Sequence, residues 1–168
     1  MFAQTISLAP PLCRPRKRQS TPPQGFADDT RIRTIAGPRP VARIMAGDLL
    51  LDAQGQIVEL RGIRKVDAQA GDLVLLHAST GPHGSDQPRP DRDLIVGTGQ
   101  KLGLRDWRTD LIFAKPCLIA SHKLVDGQNV QSVNKVGTLY QLIFDTDVVI
   151  IANGLAALVK QTLPERHD

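Results

Sequence analysis

Aromatic side chains make up only 4% of this 168-residue chain, with a single Trp and a single Tyr, so any core it forms is aliphatic. Cysteine is also scarce. Cys13 and Cys117 cannot by themselves supply a disulfide framework or a four-ligand zinc site. No run approaches the ~20 consecutive apolar residues of a membrane span, so no transmembrane helix is expected. What is present, 41% hydrophobic and 23% charged residues, is ordinary globular composition and excludes wholesale disorder. A chain of this length buries roughly 70% of its unfolded surface and can hold one core without staples.

The pI of about 9.4 hints at nucleic-acid binding until the charge is located. Residues 1–24 carry Arg14, Arg16, Lys17 and Arg18 and no acid, while the remaining 17 basic and 17 acidic residues cancel. The basicity belongs to a tail, and a neutral body with one Trp and one Tyr offers no phosphate-tracking groove or base-stacking platform. Nucleic acid is therefore not expected as a partner of the folded part. The tail holds Pro10, Pro11, Pro15, Pro22 and Pro23, five of the twelve prolines. Its composition predicts a disordered tail over residues 1–24, suited to extended linker conformations rather than helix or sheet. Its basic cluster follows a short, proline-broken apolar stretch, the reverse of a signal peptide, so a cytoplasmic location is the default expectation. Arg14 to Arg18 read as a solvated run able to meet an acidic surface.

From Gly25 to about residue 160 the pattern becomes many short β segments: Thr30–Ile35, Val41–Ile44, Leu49–Leu51, Ile57–Val66, Leu73–His77, Leu94–Val96, Leu111–Ala114, Cys117–Leu124, Val136–Asp145 and Val148–Ala152. Turn formers such as Gly47-Asp48, Gly71-Asp72 and Asn153-Gly154 separate them. Asp126-Gly127 carries the signature of a two-residue type I′ hairpin. Val136, Tyr140, Leu142 and Phe144 alternate with polar or small residues, as on a half-buried strand. The spacing predicts one short helix, around Leu155–Gln161, a loop over Ser79–Asp93 and a C-terminal tail over 161–168. The fold class is all-β.

A glycine pattern points elsewhere. Leu94-Ile95-Val96 runs into Gly97-x-Gly99-x-x-x-Gly103, a variant of the dinucleotide-binding fingerprint. That chemistry needs a helix N-terminus after the glycines to hold a pyrophosphate. The sequence continues as strand and turn, and about twenty residues on it offers Cys117 in place of a ribose-binding acid. No cofactor is expected.

The order of segments carries a resemblance. Gly25-Phe26-Ala27-Asp28-Asp29-Thr30-Arg31-Ile32-Arg33-Thr34, then Gly47-Asp48-Leu49, resembles the opening of a Hint domain, the self-processing module of hedgehog proteins and inteins, and most closely its bacterial hedgehog/intein-type family. Arg92-Asp93-Leu94-Ile95-Val96, Lys123-Leu124-Val125-Asp126-Gly127, Tyr140–Asp145 and Ala152-Asn153-Gly154-Leu155 are similar to later blocks of that family, in the expected order over residues 25–155. The resemblance implies a compact all-β fold and cleavage of the peptide bond just before the domain. There a first-position Cys attacks the preceding carbonyl, and a His of a Ser/Thr-x-x-His block assists the leaving amide. On this chain the first position is Gly25, the hydroxyl position is Gly97, the His position is Gln100, and a closing-hairpin His falls on Asp147. Each lacks the group the chemistry uses.

Substitutes are few. Cys117 lies inside an apparent strand and reads as a neutral buried thiol. Thr30 needs a base beside it. His77, His83 and Asp86 have no metal-site spacing, His122 and His167 border a strand end and the terminus, and Asp145 and Asp147 read as turn formers. The expectation is a Hint-like domain inactive in self-cleavage and serving as a folded binding or structural module for a protein partner. The alternatives are an autoprocessing domain with a displaced nucleophile and a dinucleotide-binding protein.

Overall fold

The structure, a computed structural model, describes residues 21–78, 90–104 and 117–161. Within them lie thirteen strands and two 3-10 turns, one after the second strand and one after the ninth. The strands are β1 (Arg31–Thr34), β2 (Gly37–Pro40), β3 (Leu49–Leu51), β4 (Ile57–Glu59), β5 (Gly62–Ala68), β6 (Leu73–Leu76), β7 (Leu94–Gly97), β8 (Lys101–Leu104), β9 (Cys117–Ala120), β10 (Val130–Val133), β11 (Gly137–Ile143), β12 (Val148–Ala152) and β13 (Leu155–Val159). The all-β expectation holds. The expected strand at Leu111–Ala114 and most of the expected Ser79–Asp93 loop lie outside the described residues.

The largest sheet runs β4-β3-β1-β12-β13-β8-β9, with β2 added to β1; β10-β6-β7 form a second sheet and β11-β5 a two-stranded ribbon. Phe26 joins the two smaller units. It bridges Val96 of β7 on one side and Tyr140 of β11 on the other, with its own side chain buried. Around it lies an aliphatic core including Ile32, Leu50, Leu76, Leu94, Leu102 and Ile150, as the shortage of aromatics requires.

Where elements differ from the sequence reading, pairing accounts for the difference. Leu155–Val159 is strand β13, not a short helix. Five apolar residues in a row do not distinguish helix from strand by periodicity, and here they pair residue for residue with β12, from Val148↔Val159 to Ala152↔Leu155. The connecting residues Asn153 and Gly154 have φ of 47° and 78°, so the I′-type hairpin lies at this turn. At Asp126-Gly127 only Gly127 has positive φ. Asp126 Oδ1 instead accepts from the backbone N–H groups of Gln128 and Val130, at 2.8 and 2.9 Å, which closes a wider loop. Those bonds hold the Asp126 carboxyl below its ordinary range, so its support of the loop is complete at neutral pH and is lost as pH falls through that lowered value.

Two expected strands are broken. Ile57–Val66 divides at Leu60-Arg61, where the chain leaves the large sheet for the ribbon; Leu60 is buried, and Arg61 N–H donates to Ile143 O at 2.9 Å. Cys117–Leu124 divides into β9 and a 3-10 turn at Ser121–Leu124. Val41–Arg43 is also a 3-10 turn. On β11 the buried positions are Leu139 and Leu142, because Leu139 packs with Ala68 and Leu73 while Leu142 joins the main core.

Asn153 fixes the β12–β13 hairpin twice over. Its Oδ1 accepts from Arg31 N–H at 2.8 Å and its Nδ2 donates to Asp93 O at 3.2 Å. Asn153→Ala should cost about 2–4 kcal/mol in urea denaturation, through two lost bonds and a left-handed conformation that Ala disfavours. Asn153→Gly should recover about 1 kcal/mol of that, because only the conformational part is relieved.

Candidate functional site

Gly25 lies where the chain enters between β7 and β11, and its surroundings are built from backbone. Its φ is 128°, a region that side chains rarely adopt. A Cβ there would lie 2.8 Å from Tyr140 O and 3.2 Å from the Leu139 Cβ. Gly25 N–H donates to Gln100 Oε1 at 3.2 Å, and Gly25 O accepts from Gly97 N–H at 3.1 Å. Gln100 is 2% exposed. Its Nε2 donates to Leu158 O at 2.8 Å and to Lys101 O at 3.2 Å. Both donors and the acceptor of the carboxamide are thus used, and only one orientation of the amide permits this.

The turn between β7 and β8 is braced from the other side. Ser121 Oγ donates to Gly97 O at 2.7 Å, Ser121 N–H donates to Gln100 O at 2.8 Å, and the His122 backbone N–H donates to Thr98 O at 3.2 Å. Against this turn lies the segment Thr21–Gln24. Gly99 N–H donates to Pro23 O at 2.9 Å, and Gln141 Nε2 donates to Gln24 O at 2.9 Å. A cleft of about 540 Å³ opens beside the segment, with Arg64, Val66, Leu142 and Lys160 in its wall. Residues 1–20, with Cys13 and the basic cluster, lie outside the described residues.

A family model described as the Hint domain matches residues 24–158. The chain belongs to the Hint domain family. Among solved structures it is similar to a bacterial intein-like domain from Clostridium thermocellum, at 13% identity and a TM-score of 0.53, covering 83% of this chain and 99% of that one. It is likewise similar to the MchDnaB-1 intein, at 13% identity and a TM-score of 0.51 over 79% of this chain and 98% of that one. The gp41-1 intein gives 14% identity and a TM-score of 0.50 over 80% and 98%. At such identities the likeness is one of fold. No curated protein sequence matches.

Within this Hint domain the positions singled out in the sequence are not all gathered. Gly25, Gly97 and Gln100 are linked by direct hydrogen bonds, through Gly25 N–H to Gln100, Gly97 N–H to Gly25 O and Gln100 N–H to Gly97 O. Asp147 shares no hydrogen bond with these three among the described residues; its Oδ1 accepts from Gln161 N–H at 2.7 Å just past the end of β13. Asp145 does not pair with it, because its carboxylate lies 2.7 Å from Arg61 Nε in an exposed ion pair; that contact raises the Arg61 pKa further. Thr30 is buried, and its Oγ1 has no hydrogen-bond partner among the described residues.

The Gly97-x-Gly99 fingerprint runs into strand β8, so it has no helix N-terminus to hold a pyrophosphate. His77 meets Asp93 at 3.9 Å, while His83, Asp86 and His167 lie outside the described residues. Among those described, no three His, Cys, Asp or Glu residues gather as metal ligands, and no helix is long and apolar enough to cross a membrane. The sequence reading did not single out Gln141, Ser121 or Pro23. Gln141 sat at an outward position of an alternating strand, and nothing local marks a glutamine whose partner is 117 residues away.

Gln100→Leu keeps much of the volume but leaves Gly25 N–H and Leu158 O without their partner. It should lower stability by about 2–4 kcal/mol in urea, as buried unpaired groups do. A loss below about 0.5 kcal/mol would show that the carboxamide is incidental.

Proposed function

We propose that this Hint domain does not cleave the Gln24–Gly25 bond and instead acts as a folded module that holds the polypeptide lying before it. In this reading Gly25, Gly97, Gln100 and Asp147 occupy the positions at which self-cleaving relatives carry their nucleophile, hydroxyl and two histidines. One observation carries it: Gly25 N–H donates to Gln100 Oε1. Cleavage requires a proton delivered to that nitrogen as the amide breaks, yet the group facing it is an acceptor. The Gln100 donors are committed to Lys101 O and Leu158 O, and a carboxamide does not exchange protons near neutral pH. General-acid help worth ~10²–10⁴ in rate is therefore missing.

The nucleophile is missing for a second reason besides side-chain identity. A cysteine at position 25 would need either a strained φ or a shifted β11, because its Cβ would crowd Tyr140 O. One element useful to acyl transfer is in place, since Gln141 Nε2 donates to Gln24 O. A polarised carbonyl without an attacking group gains only slow reaction with water. The same donor serves holding well.

Incubation with a thiol, followed by intact mass, tests the reading. The wild-type chain should stay at full length, and so should Gly25→Cys alone. Gly25→Cys with Gln100→His, with or without Asp147→His, is the smallest set that restores both missing groups. Fragments that meet at residues 24 and 25 in the wild type would establish an autoprocessing domain with a displaced nucleophile.

A further inference from the structure

The wall facing Thr21–Gln24 is rich in donors. Gly97 N–H, Gly99 N–H and Gln141 Nε2 donate to Gly25 O, Pro23 O and Gln24 O, while among the described residues no acceptor bonds an N–H of Thr21–Gln24 and Gln100 Oε1 takes the N–H of Gly25. A peptide lying there must present carbonyls and few N–H groups. Proline does this, since it has no backbone donor to leave unpaired, and Pro22 and Pro23 lie directly against Gly99 and Gly97.

The fit is also steric. A Cβ on Gly97 would collide with Pro23 O, and a Cβ on Gly99 would collide with Pro22 O while lying 3.0 Å from the Pro22 Cβ. These two glycines are therefore required by the approach of the peptide. Prolines enter such a slot already extended, so little chain entropy is lost on docking. Beside the slot the cleft is walled by Val66, Leu142 and Val159 together with Arg64 and Lys160.

We propose that the Gly97–Gly99 turn, with Gln141, is a recognition site for an extended proline-proline peptide, filled in cis by Pro22-Pro23 and open to such a segment of a partner chain when its own segment is displaced. The proposal rests on the holding role given above and names the ligand class for it.

The test uses the full chain and a fluorescein-labelled Ser-Thr-Pro-Pro-Gln peptide, followed by anisotropy. In the wild type the tethered segment competes at millimolar effective concentration, so half-saturation should require at least about tenfold more peptide than in a variant carrying Pro22→Gly and Pro23→Gly, whose own segment docks weakly. Adding Gly99→Val to that variant should abolish binding. In case Gly99→Val perturbs folding, a Ser-Thr-Ala-Ala-Gln peptide tested on the double-glycine variant should bind at least about tenfold more weakly than the proline peptide. Absence of binding to the double-glycine variant, or equal binding of the two peptides, would overturn the proposal. Intact mass of the same samples separates the two readings, since cleavage at Gly25 would overturn the inert site and leave the peptide comparison to be read by itself.

Discussion

The Gln100 carboxamide has two donors and an acceptor to satisfy in a place that water does not reach, and its three partners come from different parts of the fold. Lys101 begins β8, Leu158 belongs to β13, and Gly25 opens the segment whose next residue, Phe26, bridges β7 and β11. One side chain thus ties the large sheet to the entry strand that joins the two smaller units. Burial makes each of these bonds costly to lose. It also fixes which atom faces the Gln24–Gly25 peptide.

Holding a peptide and breaking it make opposite demands on that atom. Holding is served by an acceptor for the amide N–H, donors for the flanking carbonyls and a snug backbone fit, all of which stabilise the planar ground state. Cleavage gains only from contacts that strengthen as the bond breaks. At this site the acceptor faces the nitrogen, and Gly25, Gly97 and Gly99 let neighbouring backbone approach more closely than a Cβ would allow. Ser121 braces Gly97 on its other face, its hydroxyl donating to Gly97 O.

Much of this was legible in the residues. Short aliphatic segments between turn formers point to the fold class, and the Hint-type order of segments marks Gly25, Gly97 and Gln100 as positions of one site. Strand β2 was hidden because Ala36-Gly37-Pro38 reads as a turn and Pro40 follows two residues on. Its prolines are tolerated because β2 pairs only with β1, and alternation turns both proline nitrogens to the open edge. Strand β10 was hidden by its polar Gln131-Ser132. The C-terminal helix was misread because pairing with β12, not local propensity, decides the conformation of Leu155–Val159. Asp147 is grouped with the site by resemblance, and its carboxylate also accepts from the Gln161 amide at the end of β13. The docking of Pro22-Pro23 has no local signature, since it depends on glycines more than seventy residues away.

Residue-resolved amide hydrogen exchange on the intact chain is the most direct measurement of the central claim, that a closed backbone clasp holds the segment at Gly25. The Gly25 and Gly99 amides, bonded to Gln100 Oε1 and Pro23 O, should exchange as slowly as the Tyr140 amide, which donates to Phe26 O at 2.8 Å. Exchange of Gly25 and Gly99 at the rates of free peptide, with Tyr140 still protected, would show that the fold stands without the clasp and would contradict this account.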